Sequence, residues 1–153
     1  PVLRAVAERT NATVVAPDAI FDTGAEIFAP CALGGAINEQ TLGRLKARAI
    51  VGAANNQLSG HAVGRELFER GVVYAPDYVV NGGGIINVAA EIRALEQNGA
   101  FDPAWVEGKL ARLMLTLEEV LERSAQEGRP THEIAAEIAR SRIEQAAALK
   151  AAA

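Results

Sequence analysis

GVVYAPDYVVNGGGIINVA, residues 71–89, changes character twice within one short stretch. Gly71 closes a helical pattern in the position that favours a left-handed residue, and Val72-Val73-Tyr74-Ala75 is a β-branched and aromatic run that reads as a buried strand. Pro76 to Gly84 is turn chemistry, with Asp77, Asn81 and three glycines. From Ile85 the pattern becomes that of a longer helix to Gln97, and no strand follows it. The stretch therefore marks where a sheet ends and a helical segment begins.

Towards the N-terminus the elements alternate. Gly60 to Arg70 reads as a helix with Val63, Leu67 and Phe68 on one face, and Ala49 to Gly52 as a strand. Asn38 is a helix N-cap, and the helix it opens carries Leu42 and Leu45. Glu26 to Ala29 is a strand ending at Pro30, and Ala19 to Phe21 forms a helical turn after Pro17-Asp18. Thr13-Val14-Val15 is a further strand, preceded by a helix with Val2, Leu3, Val6 and Ala7 on one face. Short apolar strands separated by helices predict a parallel sheet built from right-handed crossovers. Towards the C-terminus, Asp102 and Pro103 open a helix whose apolar residues Val106, Leu110, Leu113, Leu117 and Val120 form a packing face, too short for a coiled coil. Gly128 closes it, and Thr131 starts a last helix carrying Ile134 and Ile138.

The 153 residues, half of them hydrophobic, suffice for one α/β unit with appendages. Fifteen basic and nineteen acidic residues give a net charge of −4 without long blocks of either sign, which argues against nucleic acid or anionic membranes as partners. No apolar run reaches the length of a membrane span, and the lone Cys31 suits a reducing compartment, so the expected location is the cytoplasm. Pro1-Val2-Leu3-Arg4 enters a helical pattern without a Met and reads as an interior point of a longer protein.

Ligands of parallel sheets bind where strands exit. Three exits here are rich in small and carboxamide residues: Ala29-Pro30-Cys31-Ala32-Leu33-Gly34-Gly35, Ala53-Ala54-Asn55-Asn56-Gln57 and Pro76 to Gly84. Small residues let a flat ring approach the backbone, and carboxamides both donate and accept hydrogen bonds. Cys31 reads as a small packing residue rather than a nucleophile, His61 as a helix start, His132 as part of a surface cap, and Asp77 as an orienter of backbone amides. No spacing of histidine, cysteine and carboxylate residues points to a metal. Neither G-x-G-x-x-G nor G-x-x-x-x-G-K-[ST] occurs, since Asn87 stands where the third glycine after Gly82 and Gly84 would be.

The motifs VVAPDAIF (14–21), IFAPCALGGAIN (27–38), VGAANNQL (51–58) and GVVYAPDYVVNGGGIINVA (71–89) resemble, in order and spacing, the second half of the nucleotide domain of the glutamate/leucine/phenylalanine/valine dehydrogenases, leucine dehydrogenase above all. The resemblance implies an α/β fold: a partial Rossmann-type parallel sheet with flanking helices, followed by C-terminal helices. Residues 1–84 would be the second half of the NAD-binding domain, and 85–153 a helical segment packing on it and towards a substrate domain outside the chain. It further implies NAD contacts at Ala32, Leu33, Gly34, Asn55, Asn56 and Asn81, and a substrate pocket at Ile85 and Val88, whose branched aliphatic side chains favour leucine, valine or isoleucine over phenylalanine. The family motif reads N-A-G-G where this chain has Asn81-Gly82-Gly83-Gly84. No catalytic residue is expected here, because the family's lysine and aspartate precede this region, as do its phosphate loop and ribose-binding acid. The implied reaction is reversible oxidative deamination of a branched-chain amino acid to a 2-oxo acid and ammonia, in a homo-oligomer when full length. The alternative is a non-catalytic nucleotide-binding or interaction module of the same fold. With the bridging strands of a doubly wound sheet outside the chain, the isolated polypeptide is expected to be unstable or to aggregate through open strand edges. Cooperative unfolding of a soluble monomer that also binds NAD in titration calorimetry would contradict this.

Overall fold

The computed structural model describes residues 2–151. Its sheet holds three short parallel strands in the order β1-β2-β3, namely β1 (Ile27–Phe28), β2 (Ala49–Ile50) and β3 (Val73–Tyr74). Ile27 pairs with Ala49 and Ala49 with Val73, while Phe28, Ile50 and Tyr74 are in register one residue further along. The fold is α/β, a partial Rossmann-type sheet with flanking and C-terminal helices.

The crossovers are helical. Between β1 and β2 lies α2 (Glu39–Leu42), nucleated by Asn38, whose side chain accepts from the backbone N–H groups of Gln40 and Thr41 while Thr41 reciprocates. The expected continuation through Leu45 does not form. Gly43 follows Leu42, and the chain closes in tight turns, Arg44 N–H to Thr41 and Leu45 N–H to Leu42. Arg44 is drawn away to Asp18 and Asp22, at 2.9 and 2.6 Å, which ties the 3-10 turn Pro17–Asp22 to this crossover. Between β2 and β3, α3 (His61–Glu69) turns Val63 and Leu67 inward and ends where Gly71 adopts a left-handed conformation. Ile37, Leu42, Ile50, Val63, Leu67 and Tyr74 form one buried cluster.

Thr13-Val14-Val15, expected as a strand, is not one: the sheet offers it no neighbour, and an extended segment without a ladder is left as irregular chain, with Val14 exposed. The helix before it is present as α1 (Val2–Thr10).

After β3 a single turn, α4 (Asp77–Val80), leads into α5 (Gly83–Glu96), α6 (Pro103–Glu127) and α7 (Thr131–Ala151). Asp102 caps α6 through Trp105 N–H at 3.1 Å, and Gly128 ends it at φ 62°. Val79, Val120, Ile134, Ala135 and Ile138 make a second cluster between α4, α6 and α7. The α6–α7 turn is pinned by Arg123 and Arg129, each paired with both Glu127 and Glu137. Thr131 Oγ1 donates to Tyr74 O at 2.6 Å, Tyr78 Oη to His132 O at 2.9 Å and Arg65 Nε to Glu133 Oε1 at 3.0 Å, which together join α7 to the sheet unit. Among the described residues no helix is long and apolar enough to cross a membrane.

Close approach, rather than conformation, makes one glycine indispensable. A Cβ on buried Gly52 would land on the backbone of Pro30, in the first residues beyond β2 and β1. A Cβ on Gly82, in ordinary right-handed backbone, meets only the movable Leu113 Cδ1, 2.6 Å away. Gly52→Ala should therefore destabilise by about 1–3 kcal/mol or more, as overpacking against rigid atoms does. Gly82→Ala should be neutral or stabilising by less than about 1 kcal/mol, through lost chain entropy of the unfolded state. Urea unfolding of both variants gives the comparison.

Candidate functional site at the strand exits

Beyond β1 and β2 the chain runs side by side and is stitched through the backbone. Ala54 N–H donates to Pro30 O at 2.9 Å, Gly35 N–H to Asn56 O at 2.7 Å, Ile37 N–H to Gln57 O at 3.0 Å, and Ser59 N–H to Ile37 O at 2.9 Å. Gly34 packs against this pair of loops so closely that a Cβ would lie 2.8 Å from Asn55 O. Gln57, fully buried, holds the second loop from inside: its amide nitrogen donates to Gly52 O at 2.7 Å and Ala54 O at 3.0 Å. Its backbone N–H donates to Asp77 Oδ2 at 3.1 Å, and Asp77 Oδ1 accepts from Tyr78 N–H at 2.9 Å. Asp77 thus orients backbone amides, at 6% exposure, and couples the second exit to the third. On the outer side Asn81 Nδ2 donates to Asn55 Oδ1 at 2.6 Å.

These contacts frame an open cleft of about 610 Å³ lined by Ala53, Asn55, Asn56, Asp77, Tyr78, Asn81, Gly82 and Ile85. Of the residues singled out in the sequence, Asn55, Asn56, Asn81 and Ile85 meet there. Gly34 supports the cleft from the neighbouring loop, where Ala32 and Leu33 are exposed without lining it, Leu33 at 80%. Val88 lies further along α5, exposed and outside the lining. Tyr78 and Ala53 were not singled out. Tyr78 is held at the cleft by its backbone N–H to Asp77 Oδ1 and its hydroxyl to His132 O, partners that its local sequence does not announce.

Two sequence expectations are corrected at this site. Cys31 does not pack inside but is exposed, its Sγ 3.5 Å from Ala53 N, because the loop after Pro30 turns outward. His132 is not in a surface cap: it is 4% exposed, its ring 5.3 Å from that of His61 and so close to Gly64 that a Cβ there would overlap it. Both ring nitrogens are buried without a hydrogen-bond partner in the protein, as is Gln57 Oε1. Burial first, then His61 and Arg65, push the His132 imidazolium below its ordinary 6.5, with Glu133 opposing. Burial likewise raises the Tyr74 phenol, and burial with the Asp77 charge raises that of Tyr78. No group of three or more metal-ligating side chains comes together among the described residues.

A parallel sheet whose small, carboxamide-bearing exits close on one cleft is the layout of a dinucleotide-dependent dehydrogenase. The family model described as Glutamate/Leucine/Phenylalanine/Valine dehydrogenase matches residues 2–150, and the chain belongs to that family of amino-acid dehydrogenases. It is 45% identical over 144 residues to leucine dehydrogenase of Bacillus subtilis (strain 168), covering 94% of this chain and 38% of that protein. Valine dehydrogenase of Streptomyces albus is 40% identical over 154 residues, 96% of this chain and 40% of the relative. The crystal structure of L-tryptophan dehydrogenase from Nostoc punctiforme superposes with a TM-score of 0.83 at 36% identity, over 93% of this chain and 41% of that one. The chain spans about two fifths of the length of these relatives.

The depressed His132 value makes folding pH-dependent with a definite sign. The unfolded chain binds a proton at a pH where the folded one does not, so the full contribution is present above 6.5 and is lost as pH falls through the folded value. Melting temperature should fall between pH 7.5 and 5.5, and His132→Phe should flatten that part of the profile, as thermal scans across the range will show.

Proposed function

We propose that this chain is the nicotinamide side of an NAD-dependent amino-acid dehydrogenase acting on a branched-chain substrate of the leucine or valine type. The observation that carries the reading is the convergence of Asn55, Asn56 and Asn81 on a cleft completed by Ala53, Gly82 and Ile85, with Asp77 and Tyr78 on its inner side. Residues 1–84 act as the second half of the cofactor domain, and residues 85–153 as a helical segment that packs on it and continues towards the substrate domain.

The lining fits a nicotinamide nucleotide. Ala53 and Gly82 leave the backbone bare for a flat ring, and the carboxamides of Asn55, Asn56 and Asn81 match ribose hydroxyls and an amide. Leu33, with Ile85 at 70% exposure, offers apolar surface that a bound ligand covers. A bound nicotinamide would supply the hydride acceptor for the α-carbon of the amino acid, and water would open the resulting substrate imine to a 2-oxo acid and ammonia. Asn55 and Asn81 orient, Gly34 lets the two loops close up beneath the ligand, and Ile85 meets the aliphatic side chain. Proton transfer is assigned to groups of the substrate domain, not to this chain. Holding both reactants in register in a closed cleft is the chain's share of the catalysis.

The full-length protein should reduce NAD with leucine or valine in preference to phenylalanine, and should act as a homo-oligomer. Asn55→Ala should lower kcat/KM about tenfold, the loss of one or two neutral hydrogen bonds, mainly through KM for NAD. Steady-state assays with the three amino acids, and gel filtration, test the reading. Absence of NAD-linked deamination with any of them sinks it.

A further inference from the structure

Every residue that the β2 exit gives to the cleft lies inside one closed loop of chain. Ala53, Asn55 and Asn56 line the cleft, and all three fall between Gly52, whose carbonyl accepts from the Gln57 side-chain amide at 2.7 Å, and Gln57 itself. A second bond from the same nitrogen reaches Ala54 O, midway round, at 3.0 Å. Gln57 is fully buried while Asn55 and Asn56 are exposed, so the clasp lies beneath the groups it holds and meets no ligand itself. Its backbone ties the loop to both neighbours, the N–H donating to Asp77 Oδ2 at 3.1 Å and the carbonyl accepting from Ile37 N–H at 3.0 Å.

The loop is kept in this shape at a cost. Gly52 O and Ala54 O are both acceptors, so only the amide nitrogen of Gln57 can face them. That orientation leaves Gln57 Oε1 buried with no donor among the described residues, which is destabilising. Asn56 sits at φ 52°, in the left-handed region that disfavours a side chain, while its carbonyl accepts from Gly35 N–H at 2.7 Å. Local costs of this kind persist where the surrounding structure over-determines them, and they gather at ligand sites.

We propose that Gln57 is a positioning residue for the cofactor: the two hydrogens of its amide fix the loop that presents Asn55, and through Asn55 they set the affinity for the nicotinamide nucleotide. Asn55 is the sensitive point because its Oδ1 already accepts from Asn81 Nδ2 at 2.6 Å, so its own amide must stand in one place to serve both Asn81 and a ligand. A side chain at position 57 without those hydrogens strands Gly52 O and Ala54 O and frees the residues between them. The inference rests on the reading of the cleft as a nicotinamide site, and adds to it a residue that never touches the ligand.

A double-mutant cycle in the full-length protein tests this, with KM for NAD and kcat read beside circular dichroism and melting temperature. Gln57→Met, of similar volume without the amide, should raise KM for NAD about five- to tenfold with kcat changed less than about twofold, as the loss of one or two hydrogen bonds does. With Asn55→Ala already in place, the same substitution should raise KM by less than about twofold, because residues that act through one another do not add. Ile138→Val, which loosens the core between α4, α6 and α7, should lower the melting temperature and leave KM alone. Gln57→Glu, of the same shape without the amide hydrogens, should behave as Gln57→Met does, and takes its place in the cycle where the methionine variant does not fold. An unchanged KM, effects of Gln57→Met and Asn55→Ala that multiply, an equal rise in KM in Ile138→Val, or failure of both Gln57 variants to fold overturns the proposal. Independent effects in an active enzyme remove this inference alone, whereas a wild-type protein that neither binds nor reduces NAD removes the reading of the cleft with it.

Discussion

One buried amide holds the three strand exits in a common frame. Gln57 has no contact with solvent, and its side chain and backbone reach Gly52, Ala54 and Asp77. Each bond satisfies a peptide or carboxylate group that would otherwise be stranded in the interior. Because Asp77 also orders Tyr78, and Tyr78 bonds to the first turn of α7, the same chain of contacts reaches from the sheet to the C-terminal helices. The exposed carboxamides of Asn55 and Asn56 keep their places because the residue that follows them is locked.

Much of this architecture was legible from pattern alone. Strands around Phe28, Ile50 and Tyr74 announced themselves as short β-branched runs between turn residues, and Asn38, Asp102, Gly71 and Gly128 cap or end helices where local chemistry says they must. The failures share a cause, because each depends on a partner distant in sequence. Thr13-Val14-Val15 has strand propensity but no adjacent strand, and the helix at Leu42 yields to the pull of Asp18 and Asp22 on Arg44. His132 looks like a polar residue in a first turn, and only the missing side chain of Gly64 gives its ring a place inside.

The candidate site was legible to a different degree. Asparagines and glycines at successive strand exits identified three segments, yet nothing local says that Asn81 reaches Asn55 or that Val88 stays out of the cleft while Ile85 enters it. One helical turn separates those two side chains, and the direction of α5 from Gly83 decides between them. That direction accompanies the packing of α5 on α6, a long-range arrangement with no signature in either segment.

The bond from Asn81 to Asn55 also gives the cleft a polarity. With Asn81 Nδ2 donating to Asn55 Oδ1, the Asn55 amide keeps both of its N–H donors and the Asn81 carbonyl both of its lone pairs. A guest amide with its oxygen towards the β2 exit and its nitrogen towards the β3 exit would meet both.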